Sequence, residues 1–398
     1  MAVQTKEITL TRCPVCYSEK VYKIVDILGV PVHCNRLWPT RDEALQAPRA
    51  DINLSFCDYC THVFNSAFDP KQVEYSPGYE NSLHFSARFQ EYALELARRL
   101  VNEYDLFGKN IIEIGCGRGD FLAMLCELGH NIGIGFDPSA PQDSPFNSRN
   151  ADISIIRDYY SEDYSDLAPA LVCCRHVLEH IENPVEFLKS VMTALGKDSS
   201  AILFFEVPNA MFTLKDLGIW DLIYEHFSYY TIESLQYLFT SLNCRVLHAE
   251  SAFMDQFLCL DATGQDLAGP EIFPGKVDSS PVLRYVADFA DHYHATIEKW
   301  RSFFEKVPPG ARVAVWEAGS KGVTFLNVLN IIENVPHLVD INPSKQGLYV
   351  SGTGQQIISP AQLADEKPDI ILIMNPVYKS EIRNTVGEIG LAPDFHVL

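Results

Sequence analysis

The run Ile111-Ile112-Glu113-Ile114-Gly115-Cys116-Gly117-Arg118-Gly119-Asp120-Phe121-Leu122 limits the possible folds more than any other stretch of the chain. It reads as a buried strand, a glycine turn and the start of a helix, the opening unit of a parallel α/β sheet. Glycines let the backbone approach a nucleotide closely, and the helix N-terminus supplies free N–H groups. The third position of a G-x-G-x-x-G fingerprint would be Asp120, neither glycine nor alanine, so NAD is disfavoured.

Strand and helix patterns alternate around this run. Strands are expected at 110–114, 132–136, 153–157, 171–175 and 201–207, with helices at 86–104, 120–129 and 184–195. Such alternation argues for a doubly wound, mostly parallel sheet. A Gly/Pro cluster at 262–281 breaks the pattern, and a helix at 282–305 runs up to Pro308-Pro309-Gly310. The last block repeats the logic on a smaller scale, with strands expected at 312–316, 337–340, 356–358 and 369–374.

Among 398 residues, 31 Lys and Arg face 52 Asp and Glu, a formal charge of −21. A field of that sign repels phosphate backbones and speaks against nucleic acid as a partner. No apolar run is long enough to span a bilayer, and the N-terminus lacks an apolar signal region, so a cytoplasmic protein without a membrane partner is expected. The eleven cysteines include Cys13-x-x-Cys16 and Cys57-x-x-Cys60, which together suit a closed tetrahedral four-sulfur zinc site of structural type.

The spacing Glu113-x-Gly115-x-Gly117-x-Gly119 is similar to motif I of class I S-adenosylmethionine (SAM) methyltransferases. The resemblance implies SAM as cofactor, its amino-acid end on the glycine turn and anchored with help from Glu113. It further implies that Asp137 accepts from both ribose hydroxyls and that Asp158 and Tyr159 lie at the adenine edge. His176 opens the run His176-Val177-Leu178-Glu179-His180-Ile181, which resembles the Leu-Glu-His-Ile signature of these enzymes and places His176 on the cofactor side.

Longer segments resemble the sugar C-methyltransferases, which act on nucleotide-linked deoxy-keto-sugars. They are residues 75–86, 223–230, 316–322, 339–347 and 352–360. The architecture this implies is α/β: a class I SAM-methyltransferase Rossmann-like domain, an N-terminal zinc-binding module and a smaller C-terminal Rossmann-like domain. Their expected limits are 1–70 for the zinc module, 71–265 for the SAM domain and 310–398 for the C-terminal domain, with a helical linker over 266–309.

A carbon beside a ketone is acidic enough for a positioned base to deprotonate, and the enolate then takes the methyl group. His226 is the expected base, with Glu225 orienting it or handling a second proton. Tyr79 and Tyr224 are candidate enolate donors, with His180 as a further acid or base. Asn81 and His84 are expected at the substrate. Ser320, Lys321 and Lys345 suit the diphosphate of a nucleotide-linked sugar, at a helix start with added positive charge. One departure stands out: Ile223 holds the position three before His226, where the family has tyrosine. On a helix, that one-residue displacement would turn Tyr224 by about 100°. Transfer to oxygen or nitrogen of a sugar or another small metabolite therefore stays open, as does a non-catalytic zinc-containing assembly protein.

Overall fold

The computed structural model describes residues 10–73, 83–140, 152–196, 199–264 and 274–398. Tyr79 and Asn81 lie outside them. The strands in chain order are β1 (Val21–Pro31), β2 (Leu37–Trp38), β3 (Arg49–Cys57), β4 (Val63–Asn65), β5 (Asn110–Ile114), β6 (Ile132–Phe136), β7 (Asp152–Ile156), β8 (Leu171–Arg175) and β9 (Ile202–Pro208). They continue with β10 (Ser228–Tyr229), β11 (Cys244–Ala252), β12 (Phe257–Gly264), β13 (Val313–Trp316), β14 (His337–Val339), β15 (Tyr349–Val350), β16 (Gln356–Ile358), β17 (Ile370–Ile373) and β18 (Asp394–Val397).

The central sheet has the order β11-β12-β9-β8-β5-β6-β7. Its strands run parallel except β12, which pairs antiparallel with both β9 and β11. This is the class I SAM-methyltransferase arrangement. β5 lies in the middle because Ile111, Ile112 and Ile114 are buried, as a strand covered by helices on both faces requires. The chain order reverses beside β5, so the glycine turn opens at the sheet's crevice, where α/β folds bind ligands.

A second seven-stranded sheet, parallel except for β15, forms the C-terminal part, in the order β18-β17-β13-β14-β16-β15-β2. Its last strand belongs to the N-terminal segment: β2 pairs with β15 through Trp38 and Leu37. The four-stranded sheet β1-β3-β4-β10 likewise takes β10 from the chain between β9 and β11 of the central sheet. The three sheets are thus stitched together by single strands. The helix Ser280–Lys306, expected only to connect, is itself a core element: Phe289, Tyr293, Ile297 and Trp300 join one apolar cluster with Phe325 and the N-terminal Ile52, Leu54 and Phe56. Among the described residues, no helix is long and apolar enough to cross a membrane.

Candidate active site and metal centre

The glycine turn is built as its spacing predicts. Gly115, Gly117 and Gly119 have φ of 70°, 52° and 87°, the left-handed region that favours glycine. A methyl group on Gly115 would collide with the Val177 side chain, whereas the space beside Gly117 is open to 4 Å. Asp137, at the end of β6, accepts from the Gly117 N–H (2.8 Å) through Oδ2 and from Ser139 through Oδ1. Glu113 is buried and accepts from the Leu122 N–H (3.1 Å), bracing the helix that follows. Burial raises its carboxyl to about 8, partly offset by Arg175. Asp158 accepts from its neighbour's N–H and from the Tyr164 hydroxyl (2.8 Å each), and Tyr159 stands exposed beside it.

Gly115→Ala should weaken S-adenosylhomocysteine binding about tenfold or more, from a strained φ and the clash with Val177. Titration calorimetry checks this, and unchanged affinity would remove the turn from the ligand site.

A network of which the sequence reading picked out only His176 stands at the end of β8. Arg175 Nε donates to Glu206 Oε2 (2.7 Å) and stacks over Phe121. His176, at φ 53°, sits between Glu206 (3.1 Å) and Glu179 (3.6 Å), while Tyr92 donates to Glu206 (3.3 Å). Burial opposes charge here, yet the two glutamates lift His176 to about 9. Burial likewise opposes ionisation of Glu206, which Arg175 and His176 nevertheless hold at about 2. The signal available was position alone: strand ends in α/β sheets carry ligand-facing groups. His84 packs edge-on against Phe89, and burial, helped by Arg175, lowers it to about 4.

His180 and His226 come together, their ring centroids 4.9 Å apart. His180 Nδ1 donates to the Glu225 carbonyl (2.9 Å). Burial, then the charges of His180, His176 and Lys321, hold His226 well below its ordinary value. It is therefore neutral at pH 7, as a base must be.

Two neighbours of His226 do not sit where sequence reasoning put them. Residues 224–226 form a turn, not a helix. The Tyr224 ring stacks on Phe68, and its hydroxyl accepts from the Asp69 N–H (2.9 Å) within the apolar core. The Glu225 carboxylate accepts from the Cys34 N–H (2.8 Å) and faces His33 at 3.6 Å, so it braces the N-terminal segment.

In the C-terminal part, Ser320 opens the helix Ser320–Leu329 behind Gly319, with no side-chain cap. Asp340, at the tip of β14, accepts from the Ala318 N–H (3.0 Å), the same device as Asp137 on Gly117. Lys345 is buried against Asp340 (3.4 Å) and the Ala318 carbonyl (3.3 Å) and does not reach outward. Lys321 crosses to Asp221 (2.9 Å) and Gln256 (3.5 Å), towards the histidines. Gln256 is in turn locked to Asn375 by two amide hydrogen bonds.

All eleven cysteines are buried and unbridged. Cys13, Cys16, Cys57 and Cys60 converge, with Sγ separations of 3.6 Å (Cys13–Cys60) and 3.5 Å (Cys16–Cys57). Zn–S bonds of about 2.3 Å in a tetrahedron put sulfurs about 3.8 Å apart, so the four thiols fit the ion. Both loops turn alike: Tyr17 and Thr61 take φ of 58° and 63° and donate to the Cys13 and Cys57 carbonyls.

Residues 85–249 match the family model of a methyltransferase domain, and residues 280–391 match that of a C-methyltransferase C-terminal domain. The chain is also 26% identical over 290 residues to C-methyltransferase NovU of Streptomyces niveus, covering 69% of this chain and 68% of that one. It is a SAM-dependent methyltransferase. A shorter stretch of this methyltransferase, 96 residues, is 34% identical to 2-ketoarginine methyltransferase of Streptomyces arginensis, spanning 22% of this chain and 28% of the relative. Among solved structures, 1,6-didemethyltoxoflavin-N1-methyltransferase of Burkholderia thailandensis aligns at a TM-score of 0.36 and 14% identity, over 45% of this chain and 80% of its own.

Proposed function

We propose that this methyltransferase methylates a carbon of a nucleotide-linked deoxy-keto-sugar through an enolate, with His226 as the base. The observation that carries the reading is the half-buried His226, kept neutral beside His180 in a SAM-dependent fold. When bound, SAM supplies an electrophilic methyl group and departs as S-adenosylhomocysteine. The glycine turn and Asp137 would hold it, with Glu113 bracing the helix behind them and His176, Asp158 and Tyr159 along its flank. His226 would take the proton from the carbon beside the ketone. Lys321, paired with Asp221 at 2.9 Å, would act on His226 through its charge rather than by contact with the acceptor.

The C-terminal domain would take the nucleotide end, supported by the uncapped helix start at Ser320. Lys345, occupied by Asp340, would shape that turn rather than pair with phosphate. Tyr79, Asn81 and His84 remain proposed for the acceptor's sugar. The four cysteines would hold one structural zinc ion, and a cytoplasmic location fits a small-molecule substrate. A second reading, transfer to a hydroxyl or amine, is favoured by one fact: the Tyr224 hydroxyl is committed to Asp69 and is not offered to an enolate.

Thermal shift with S-adenosylhomocysteine, alone and combined with dTDP, UDP, GDP, CDP or ADP, tests the acceptor class. A ligand at a hundred times its Kd adds about 2.7 kcal/mol. S-adenosylhomocysteine plus one nucleotide should stabilise further than either alone. No nucleotide effect would move the acceptor to a metabolite without that handle.

A further inference from the structure

Glu179 is a buried carboxylate with one oxygen unaccounted for. It is 1% exposed, and its Oε2 has no hydrogen-bond partner among the described residues. Its Oε1 faces His176 at 3.6 Å, so the oxygen left open is Oε2, and a buried carboxylate oxygen without a donor is costly. One oxygen of Glu179, one ring nitrogen of His180 and one of His226 all lie within 4.8 Å of one another. His226 Nδ1 is itself buried and unpartnered. The glutamate adjacent to His226 in sequence is engaged elsewhere, on Cys34 and His33. The carboxylate that faces the histidine pair therefore comes from the Leu178-Glu179-His180 turn.

We propose that Glu179 is the positioning residue of the base, orienting the His226 imidazole and stabilising the imidazolium formed when the substrate carbon gives up its proton. This rests on the reading of His226 as the base of carbon methylation. The C–H electron pair stays on the substrate as the enolate, and the proton moves to a His226 ring nitrogen. Glu179 stays a carboxylate throughout, as the buried aspartate does behind the histidine of a serine-protease triad.

The charges around the pair give the sign of its effect. His176, His180 and Lys321 all oppose a proton on His226, as does burial. Cys174 and Tyr230 adjoin Glu179 and feel its negative charge. Glu179 supplies the one carboxylate of the three-residue cluster, within 4.8 Å of a ring nitrogen of each histidine. On this proposal, removing its charge makes a proton on His226 still less favourable.

The test uses Glu179→Gln and Glu179→Asp in the full chain, with ¹⁵N-labelled histidine and bound S-adenosylhomocysteine. In Glu179→Gln the ring-nitrogen titration midpoint of His226 should fall by about one pH unit or more, and Glu179→Asp should restore much of the shift. With a keto-sugar nucleotide that the wild type methylates, kcat should drop about 10- to 100-fold while KM and S-adenosylhomocysteine affinity hold. An unmoved His226 midpoint in a Glu179→Gln protein of native Tm would overturn the proposal. So would a divalent ion bound by the same two imidazoles and carboxylate, a donor set that suits one. That outcome would show as a second metal per chain, lost in Glu179→Gln, with turnover abolished by EDTA. The titration needs no acceptor, so it separates the two readings. A wild type inactive on every keto-sugar nucleotide overturns the base role even where the midpoint shifts.

Discussion

His226→Ala should bind S-adenosylhomocysteine within about twofold of wild type while turnover falls about 10²- to 10⁴-fold, the usual worth of a positioned general base. The two effects separate because the ring belongs to the His180–Tyr229 neighbourhood and not to the glycine turn. The same environment sets the pH profile. Burial and nearby cations hold His226 well below 6.5, so the base is already deprotonated at neutral pH. Turnover limited by this group should rise with pH only below that value and be flat from about pH 6.5 to 8. Steady-state kinetics over that range, on any nucleotide sugar the wild type methylates, decides it. Near-normal turnover in the variant would remove His226 as the base.

Cys57→Ala should take the protein from about one zinc per chain to well below half, with a fall in Tm of many degrees. Structural zinc contributes about 10–16 kcal/mol in isolated zinc-finger peptides, more than a small module holds in reserve. The damage should not stay local. β3, which ends at Cys57, pairs with β4, and β4 carries β10 just beyond His226. Cys34 and His33, on the same N-terminal segment, clamp the Glu225 carboxylate, whose carbonyl in turn fixes His180. Turnover should therefore fall together with zinc content. Metal analysis and calorimetry showing native zinc and native Tm would contradict both the four-sulfur site and this coupling.

Much of the central domain was legible because its signals are local. The strands Asn110–Ile114, Ile132–Phe136 and Leu171–Arg175 and the helices Asp120–Gly129 and Pro184–Leu195 lie where period and glycine placement put them. The antiparallel pair β11 and β12 escaped notice, because an edge hairpin need not follow the strand–helix alternation that marks the rest. In the C-terminal part the strand positions were readable, but the use of Lys345 was not: nothing in its spacing foretells a buried pair with Asp340.

The sequence by itself determined the glycine turn, the two cysteine pairs and the strand–helix order, since each depends on residues close along the chain. Only the tertiary structure decided which side chains share the site. Sequence proximity placed Glu225 beside His226 and left Glu179 unassigned. In the fold, residues 224–226 form a turn that sends Tyr224 into the core against Asp69 and Glu225 to Cys34. It brings Glu179 to the histidines from a different strand end. The physical reason is that a side chain's direction follows from backbone dihedrals and from competition among buried partners. A buried carboxylate takes the nearest N–H donors and counter-charges in space, and those come from segments far apart in sequence.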